Sequence, residues 1–258
     1  MMRTPKVSII TISLNCADVI CDCLKSVAQQ DYMFLEHIVI DGGSTDGTVA
    51  ILEQHQPRGG FYISEPDHGI YNAINKGILR CSGDVIAILN ADNFYTNPDI
   101  VSSMVRKLVE TSVQIVYGDA EIVDSRNILS VKRLWISGHY SENSFRRGWM
   151  PPHQTIFLTR KVHEVFGLYS ECLKIASDYE FLLRVILKNQ LSCAYNPRIA
   201  VTARNGGVSN RSVKMVFSAN MEVLEAWRMN GLRPPIMLPF IKPTSKLLQF
   251  LRAKVRKK

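Results

Sequence analysis

Three short stretches carry the side chains best suited to holding a phosphate-bearing ligand. DGGSTDGT, Asp41 to Thr48, joins a carboxylate to glycines that permit a tight turn with positive φ, and places Ser44 or Asp46 to cap a following helix. SEPDHGIYNAINKGI, Ser64 to Ile78, uses Gly69 to turn into a helix bearing Asn72, Asn75 and Lys76. LNADNFY, Leu89 to Tyr95, brings Asp92 out of an apolar run among asparagines, an oxygen-rich set suited to a hard cation that carries substrate phosphates. Each has a plainer reading when taken singly. The first is also an ordinary turn with a helix cap, and Asp92 ahead of Pro98 is also a cap. The chain has neither the Gly-Lys-Ser/Thr ending of a phosphate loop nor a GxGxxG dinucleotide fingerprint.

The elements around these stretches decide between the readings. Lys6–Ile12 is a β-branched strand, and Asp18–Gln29 has Val19, Ile20, Cys23, Leu24 and Val27 at helical spacing. Strands at Leu35–Ile40, Gly60–Ser64, Val85–Leu89 and Gln114–Tyr117 alternate with helices at Thr48–His55, Ile70–Arg80 and Pro98–Glu110. This order predicts an α/β fold with a Rossmann-like, mostly parallel central sheet flanked by helices. Such sheets bind ligands at the carboxyl ends of their strands, where all three polar stretches fall. Beyond Asp119 the pattern loosens into a hairpin over Ile122–Trp135, a long loop over Tyr140–Gln154, and helices at Lys161–Phe166, Ser177–Lys188 and Arg211–Met229. Pro234, Pro235, Pro239 and Pro243 then precede a terminal segment, Ser245–Lys258.

VSIITISLN, DGGSTDGT, SEPDHGIYNAINKG and LNADN, in this order and spacing, resemble family 2 glycosyltransferases of the GT-A fold. The likeness continues through PPHQTIF, SDYEFLLR and NGGVS, covering residues 5–210, and is nearest to small bacterial enzymes of exopolysaccharide synthesis such as the colanic-acid type. It implies a GT-A domain over residues 1–230, with a nucleotide-binding half at 1–120, an acceptor half at 121–230 and a tail at 231–258. The implied reaction is inverting transfer of a hexosyl group from a nucleotide-diphosphate sugar, with a UDP-sugar expected, to a lipid-linked saccharide. By the same resemblance Asp41 meets the nucleotide base, Ser13 and Asn15 touch the nucleoside, and Asp67, Asn72 and Lys76 serve the same pocket. Leu14 stands where many relatives have tyrosine. Asn90-Ala91-Asp92 takes the place of the DxD motif, so Asp92 alone supplies a carboxylate to Mg²⁺ or Mn²⁺. Asn93 replaces a further aspartate. Asp178 matches the base that deprotonates the acceptor hydroxyl, with Glu180 as runner-up. His153 and Gln154 are implied to line the donor or acceptor pocket, and Gly206 and Gly207 to belong to a closing loop.

The chain has 258 residues, 46% of them hydrophobic and 21% charged, which excludes wholesale disorder. No uncharged apolar run reaches the ~20 residues of a membrane span. The start, MMRTPKVSII, lacks the layout of a signal peptide, which points to a cytoplasmic protein. Cys16, Cys21, Cys23, Cys81, Cys172 and Cys193 lack the paired spacing of a zinc site and read as reduced, packed thiols. The formal charge of +8 is uneven. Nine positive residues follow Glu225, the last acid, and the remaining 22 positives against 23 acids leave residues 1–225 at −1. The basic end is interleaved with Leu247, Leu248, Phe250, Leu251 and Val255. That mixture suits an anionic membrane surface at the inner face of the cell membrane, beside a polyprenyl-diphosphate-linked acceptor, or else a solvated tail. A nucleic-acid-binding module is the non-enzymatic alternative, but it lacks any recognised binding motif and no nucleic acid partner is expected. A sugar-phosphate nucleotidyltransferase would need a Gly-rich, Arg-containing loop after the first strand, which TISLNCADV lacks.

Overall fold

β-Branched runs buried on both faces make the centre of the sheet. β1 (Val7–Ser13) and β2 (Leu35–Asp41) have every residue buried, as expected of parallel strands covered by helices on each side. The computed structural model describes residues 4–206, 213–235 and 238. Between and after these strands come α1 (Ile20–Ala28), α2 (Thr48–Gln54), β3 (Phe61–Ser64), α3 (Ile70–Arg80), β4 (Val85–Ile88), β5 (Asn93–Tyr95), α4 (Ile100–Thr111) and β6 (Ile115–Val123). The second half adds β7 (Val131–Trp135), β8 (Phe157–Thr159), α5 (Arg160–Phe166), α6 (Ser177–Leu182), β9 (Cys193–Arg204) and α7 (Val213–Met229). Among the described residues the strands form one sheet in the order β3-β2-β1-β4-β8-β6-β9-β5, with β7 paired to β6 off that path.

The parallel arrangement expected from the sequence holds for β3-β2-β1-β4. From β4 onward the sheet is mixed. β8 is antiparallel to β4 and β6, β5 to β9, and β7 to β6, while β6 and β9 run parallel. The change has a plain cause, because hairpins and loops replace crossover helices after residue 120. The predicted hairpin is β6–β7. Strands β5, β8 and β9 carry weaker signals: the first two have three residues each, and β9 contains Pro197. Pro197 is accommodated where the β6–β9 register slips, between Tyr117↔Tyr195 and Asp119↔Ile199. The helix expected over Ser177–Lys188 is α-helical to Leu182 and then widens to a π-helical turn over Leu183–Lys188.

Two apolar layers sandwich the sheet. Ile10, Ile12, Ile38 and Ile40 face Tyr71, Ile74 and Ile78 of α3 and, further on, Leu182, Val185 and Trp227 of the second half. Val7, Ile9 and Ala87 face Cys23 and Val27 of α1 and Met104 and Leu108 of α4. α3 lies unusually close to β1. A Cβ on Gly77 would stand 2.4 Å from Ile10 Cγ2, so this position admits only glycine without displacement. α3 is thereby pinned to the central strand, which matters because it connects the two sides of the site.

Candidate active site

The carboxyl ends of β1, β2 and β3 converge around one carboxylate. Asp41 is fully buried and accepts five hydrogen bonds. Ser13 Oγ (3.0 Å) and Ser44 Oγ (2.5 Å) reach Oδ1, while Ser64 Oγ (2.7 Å) and the amides of Gly43 and Ser44 reach Oδ2. Gly43 allows this return of the loop because its φ of 83° is left-handed. The loop after β1 is sewn to the same turn. Asn15, itself at φ 51°, donates its amide to Ser44 Oγ and accepts the Thr45 amide on Oδ1. The N-cap of α2 is Gly47 rather than Ser44 or Asp46; Asp46, one residue earlier, accepts the Thr48 amide and hydroxyl on Oδ1 and the Ala17 amide on Oδ2. The Thr48 hydroxyl, followed by these amides, holds the Asp46 carboxyl below its usual range.

Asp67 closes the rim from the loop after β3. Its Oδ1 accepts the Gly69 amide at 2.8 Å, and its Oδ2 lies over Gly42, where a Cβ would approach it to 2.5 Å and Leu14 Cδ1 to 3.4 Å. Leu14, Gly42 and Asp67 therefore share one surface, and Leu14 is 54% exposed there. The remaining polar groups of this stretch are engaged by the protein. Lys76 pairs with Glu65 (2.8 Å) and donates to the Pro66 carbonyl. Asn72 donates to Glu171 and accepts the His68 amide.

At the end of β4, Ala91 faces the core beside Ile20, Leu24, Val39 and Leu52, and gives no side chain to a ligand. Asn90 and Asp92 are half-buried on either side of it. The Asn90 carbonyl accepts the Asn93 amide at 2.9 Å, which forms the turn. Arg204, at the end of β9, holds this corner from the opposite strand. Its guanidinium donates to the Asp92 carbonyl (3.0 Å), pairs with Asp22 and stacks over Phe94 at 5.2 Å. Cys16 sits where these loops meet. Burial pushes its thiol up, and the charges of Asp92, Asp46 and Asp41 add to that rise. Among the described residues no group of three or more His, Cys, Asp or Glu side chains is arranged to hold a metal. The donor set of Asp92 with Asn90 fits an ion that brings most of its ligands from phosphate and water.

The acceptor-side candidates gather around the start of α6. Asp178 Oδ1 accepts the Tyr179 amide (2.8 Å) and the Tyr71 hydroxyl (3.3 Å); Oδ2 is the oxygen that neither contact engages. Tyr71 comes from the first turn of α3, and its single hydroxyl hydrogen faces two acceptors, Asp178 Oδ1 at 3.3 Å and the nearer Ile175 carbonyl at 2.8 Å. Burial, then the charge of Asp178, raises the Tyr71 phenol. His153 is buried nearby, with Nε2 2.8 Å from the Tyr169 hydroxyl. Burial lowers its pKa, and the charge of Asp178 opposes that fall. Gln154 is half-buried next to it. Glu180 is committed elsewhere: its carboxylate takes Arg184 Nη2 and Asn230 Nδ2, both at 3.0 Å. That buried pairing removes the runner-up base from consideration. Gly206 is described, whereas Gly207, the rest of NGGVS and the segment Ser245–Lys258 lie outside the described residues.

Tyr71, Tyr169, Arg204 and Glu222 contact the candidate residues, or the loop that precedes Asp178, and the sequence does not single them out. Tyr71 lies inside the quoted stretch GIYNAIN, but only the folded contact with Asp178, 107 residues away, distinguishes it from a core tyrosine.

A parallel sheet with acidic, glycine-rich strand ends, continued into a mixed half that carries a second carboxylate, is the architecture of GT-A glycosyltransferases. The family model for glycosyl transferase family 2 matches residues 8–167, and the chain belongs to that family. It is 36% identical over 190 residues to an uncharacterized glycosyltransferase of Mycobacterium tuberculosis, covering 72% of this chain and 71% of that protein. A PGL/p-HBAD biosynthesis glycosyltransferase of the same species is 30% identical over 222 residues, 84% of each. Among solved structures, the mannosyltransferase PcManGT of Pyrobaculum calidifontis, in complex with GDP-Man and Mn²⁺, superposes with a TM-score of 0.66 at 19% identity over 98% of this chain and 74% of that one. Staphylococcus aureus TarS 1–349 in complex with UDP-GlcNAc gives 0.65 at 17% identity, over 87% and 65% respectively. Against a longer TarS chain, this chain spans 40% of the length. The structural neighbours share the fold; the family match and the relatives establish a glycosyltransferase.

Proposed function

We propose that this glycosyltransferase moves a hexosyl group, with inversion, from a UDP-sugar to a hydroxyl of a lipid-linked saccharide in bacterial surface polysaccharide synthesis. The observation that carries the reading is the pairing of two acidic sites through one helix. Asp67, at the entry to α3, lies against Gly42 on the donor rim, and Tyr71, in the first turn of α3, holds Asp178. On this reading the rim formed by Ser13, Asn15, Asp41 and Asp67 receives the nucleoside. Asp41, saturated by Ser13, Ser64 and its own loop, acts chiefly by shaping that rim. Asp92 and Asn90 would hold Mg²⁺ or Mn²⁺, which when bound offsets the charge that builds on the departing diphosphate. Asp178 Oδ2 takes the acceptor proton as the hydroxyl oxygen attacks the anomeric carbon from the face opposite the diphosphate. The bond to the diphosphate breaks as the new bond forms, and its electron pair leaves with the diphosphate. His153, bound through Nε2 to the Tyr169 hydroxyl, orients the wall beside Asp178.

The acceptor part of the reading draws on sequence. No described helix is long and apolar enough to cross a membrane. The basic and apolar mixture of Ser245–Lys258 would dock on anionic lipid at the inner face of the membrane, which brings a polyprenyl-linked acceptor within reach. The test is a thermal-stability screen of UDP-, GDP- and dTDP-sugars with Mn²⁺, followed by transfer to a polyprenyl-diphosphate-linked monosaccharide. A matching donor at about a hundred times its Kd stabilises by about 2.7 kcal/mol. Asp92→Ala should abolish that gain. Stabilisation by none of these donors would sink the proposal, and transfer only to a water-soluble sugar would remove its lipid-linked part.

A further inference from the structure

The loop that presents Asp178 is held by a residue that no motif identifies. In α7, Glu222 directs its carboxylate at three successive backbone amides: Oε1 accepts from Lys174 (3.2 Å), and Oε2 from Ile175 (2.8 Å) and Ala176 (2.9 Å). These are the last residues before α6 begins at Ser177, and Ala176, its N-cap, makes no side-chain capping bond. The opposite side of the same loop is held by Tyr71, which donates to the Ile175 carbonyl. Ile175 thus has its N–H fixed from α7 and its C=O fixed from α3, which sets its φ and ψ three residues ahead of Asp178. Nearby contacts from α7 and the residue just after it do other work: Trp227 Nε1 donates to the Tyr179 hydroxyl, and Asn230 to Glu180. They fasten the body of α6, whereas Glu222 alone among these three grips the loop.

We propose that Glu222 is a positioning residue for Asp178. This rests on Asp178 being the base. A carboxylate suits the task because it accepts all three amides at once, while a neutral amide turns an N–H₂ toward one of them. Loss of the grip leaves in place the hydrogen bonds that Asp41 and Asp67 accept at the donor rim, which come from Ser13, Gly43, Ser44, Ser64 and Gly69, but lets Asp178 drift from the line of the attacking oxygen. Misplacement of about 1 Å in a reacting group costs up to about a hundredfold in rate.

The experiment compares wild type, Glu222→Gln, Glu222→Asp and Asp178→Asn in Mn²⁺-dependent hydrolysis of UDP-glucose and UDP-GlcNAc, where water replaces the acceptor and still needs the base. Glu222→Gln is expected to lower kcat by between about tenfold and a hundredfold with KM within about twofold. Backbone amides of residues 174–176 should exchange with deuterium faster, and the fall in kcat should vanish when Asp178 is already Asn. Glu222→Asp, which keeps the charge but shortens the reach, should fall between and serves if Glu222→Gln does not fold. Unchanged kcat in both folded variants, or an equal loss in the Asp178→Asn background, overturns the proposal. If Asp178→Asn itself keeps wild-type kcat, the assignment of the base fails instead, and that single variant tells the two failures apart.

Discussion

The two carboxylates at the heart of the molecule live in opposite surroundings. Asp41 is buried and accepts five hydrogen bonds from its own loops. Asp178 is half-exposed and keeps one oxygen outside the contacts of Tyr71 and Tyr179. A carboxylate so fully satisfied is a structural centre, because further bonding to a ligand would exchange one partner for another. A carboxylate held through one oxygen is oriented and still able to take a proton. On the proposed reading, the donor half builds a shape, and the acceptor half aims a single atom.

Breaking each side in turn should give different signatures. The largest effect is expected from Asp178→Asn: turnover falls by about 10²–10⁴-fold, with donor affinity from thermal shifts or calorimetry within about twofold of wild type. Next comes Asp41→Ala, which leaves three hydroxyls and two amides without their shared acceptor. It should lower stability by on the order of 2–3 kcal/mol in denaturant titration and abolish donor binding together with activity. A smaller, sharper effect is expected from Gly42→Ala, whose Cβ would sit 2.5 Å from Asp67 Oδ2. Asp67 must move aside, so donor affinity should fall by about tenfold while the thermal midpoint shifts by a few degrees at most. If Gly42→Ala instead leaves donor affinity intact, Asp67 does not belong to the rim.

The smallest effect serves as a reference, because it comes from the other end of the strands and should leave both sides equally active. Burial alone would raise the Glu36 carboxyl, but hydrogen bonds from Lys6, Ser8 and Ser82 outweigh it and bring the group down to about 2. Its stabilisation is complete above an unfolded value near 4.5 and is lost as pH falls toward 2. Beside it, burial lowers His37 to about 3, so below pH 6.5 the unfolded chain binds a proton that the folded chain refuses. Both groups act in the same direction. Stability measured by urea titration should decline from pH 6.5 downward, and Glu36→Gln should flatten the part below 4.5.

The same contrast explains what could be read from the chain. The donor half is legible because its groups are contiguous: Asp41 through Asp46 lie in one turn, and the strands carrying Asp67 and Asp92 announce themselves by alternating with helices. Its polar residues were harder to sort, since only packing shows that Ala91 faces the core and that Lys76 and Asn72 are occupied by Glu65 and Glu171. The acceptor half is assembled from distant pieces. Asp178 stands out in the sequence only through its motif, and the residues around it arrive from 107 positions upstream in Tyr71 and from α7 downstream in Glu222. Strand β9 escaped notice because Pro197 breaks its pattern, and it is this strand that delivers Arg204 to the Asp92 corner.

The tight seat of Gly77 on Ile10 has a consequence for substrate size. A helix locked to the central strand behaves as a gauge block, and only Asp67 to Tyr71 separates the point where it meets Gly42 from the point where it meets Asp178. If the proposed donor rim and base hold, the clearance available to the transferred sugar is set by this five-residue segment of backbone. Lengthening that segment by one residue would recalibrate which sugar fits, without altering a single group that touches it.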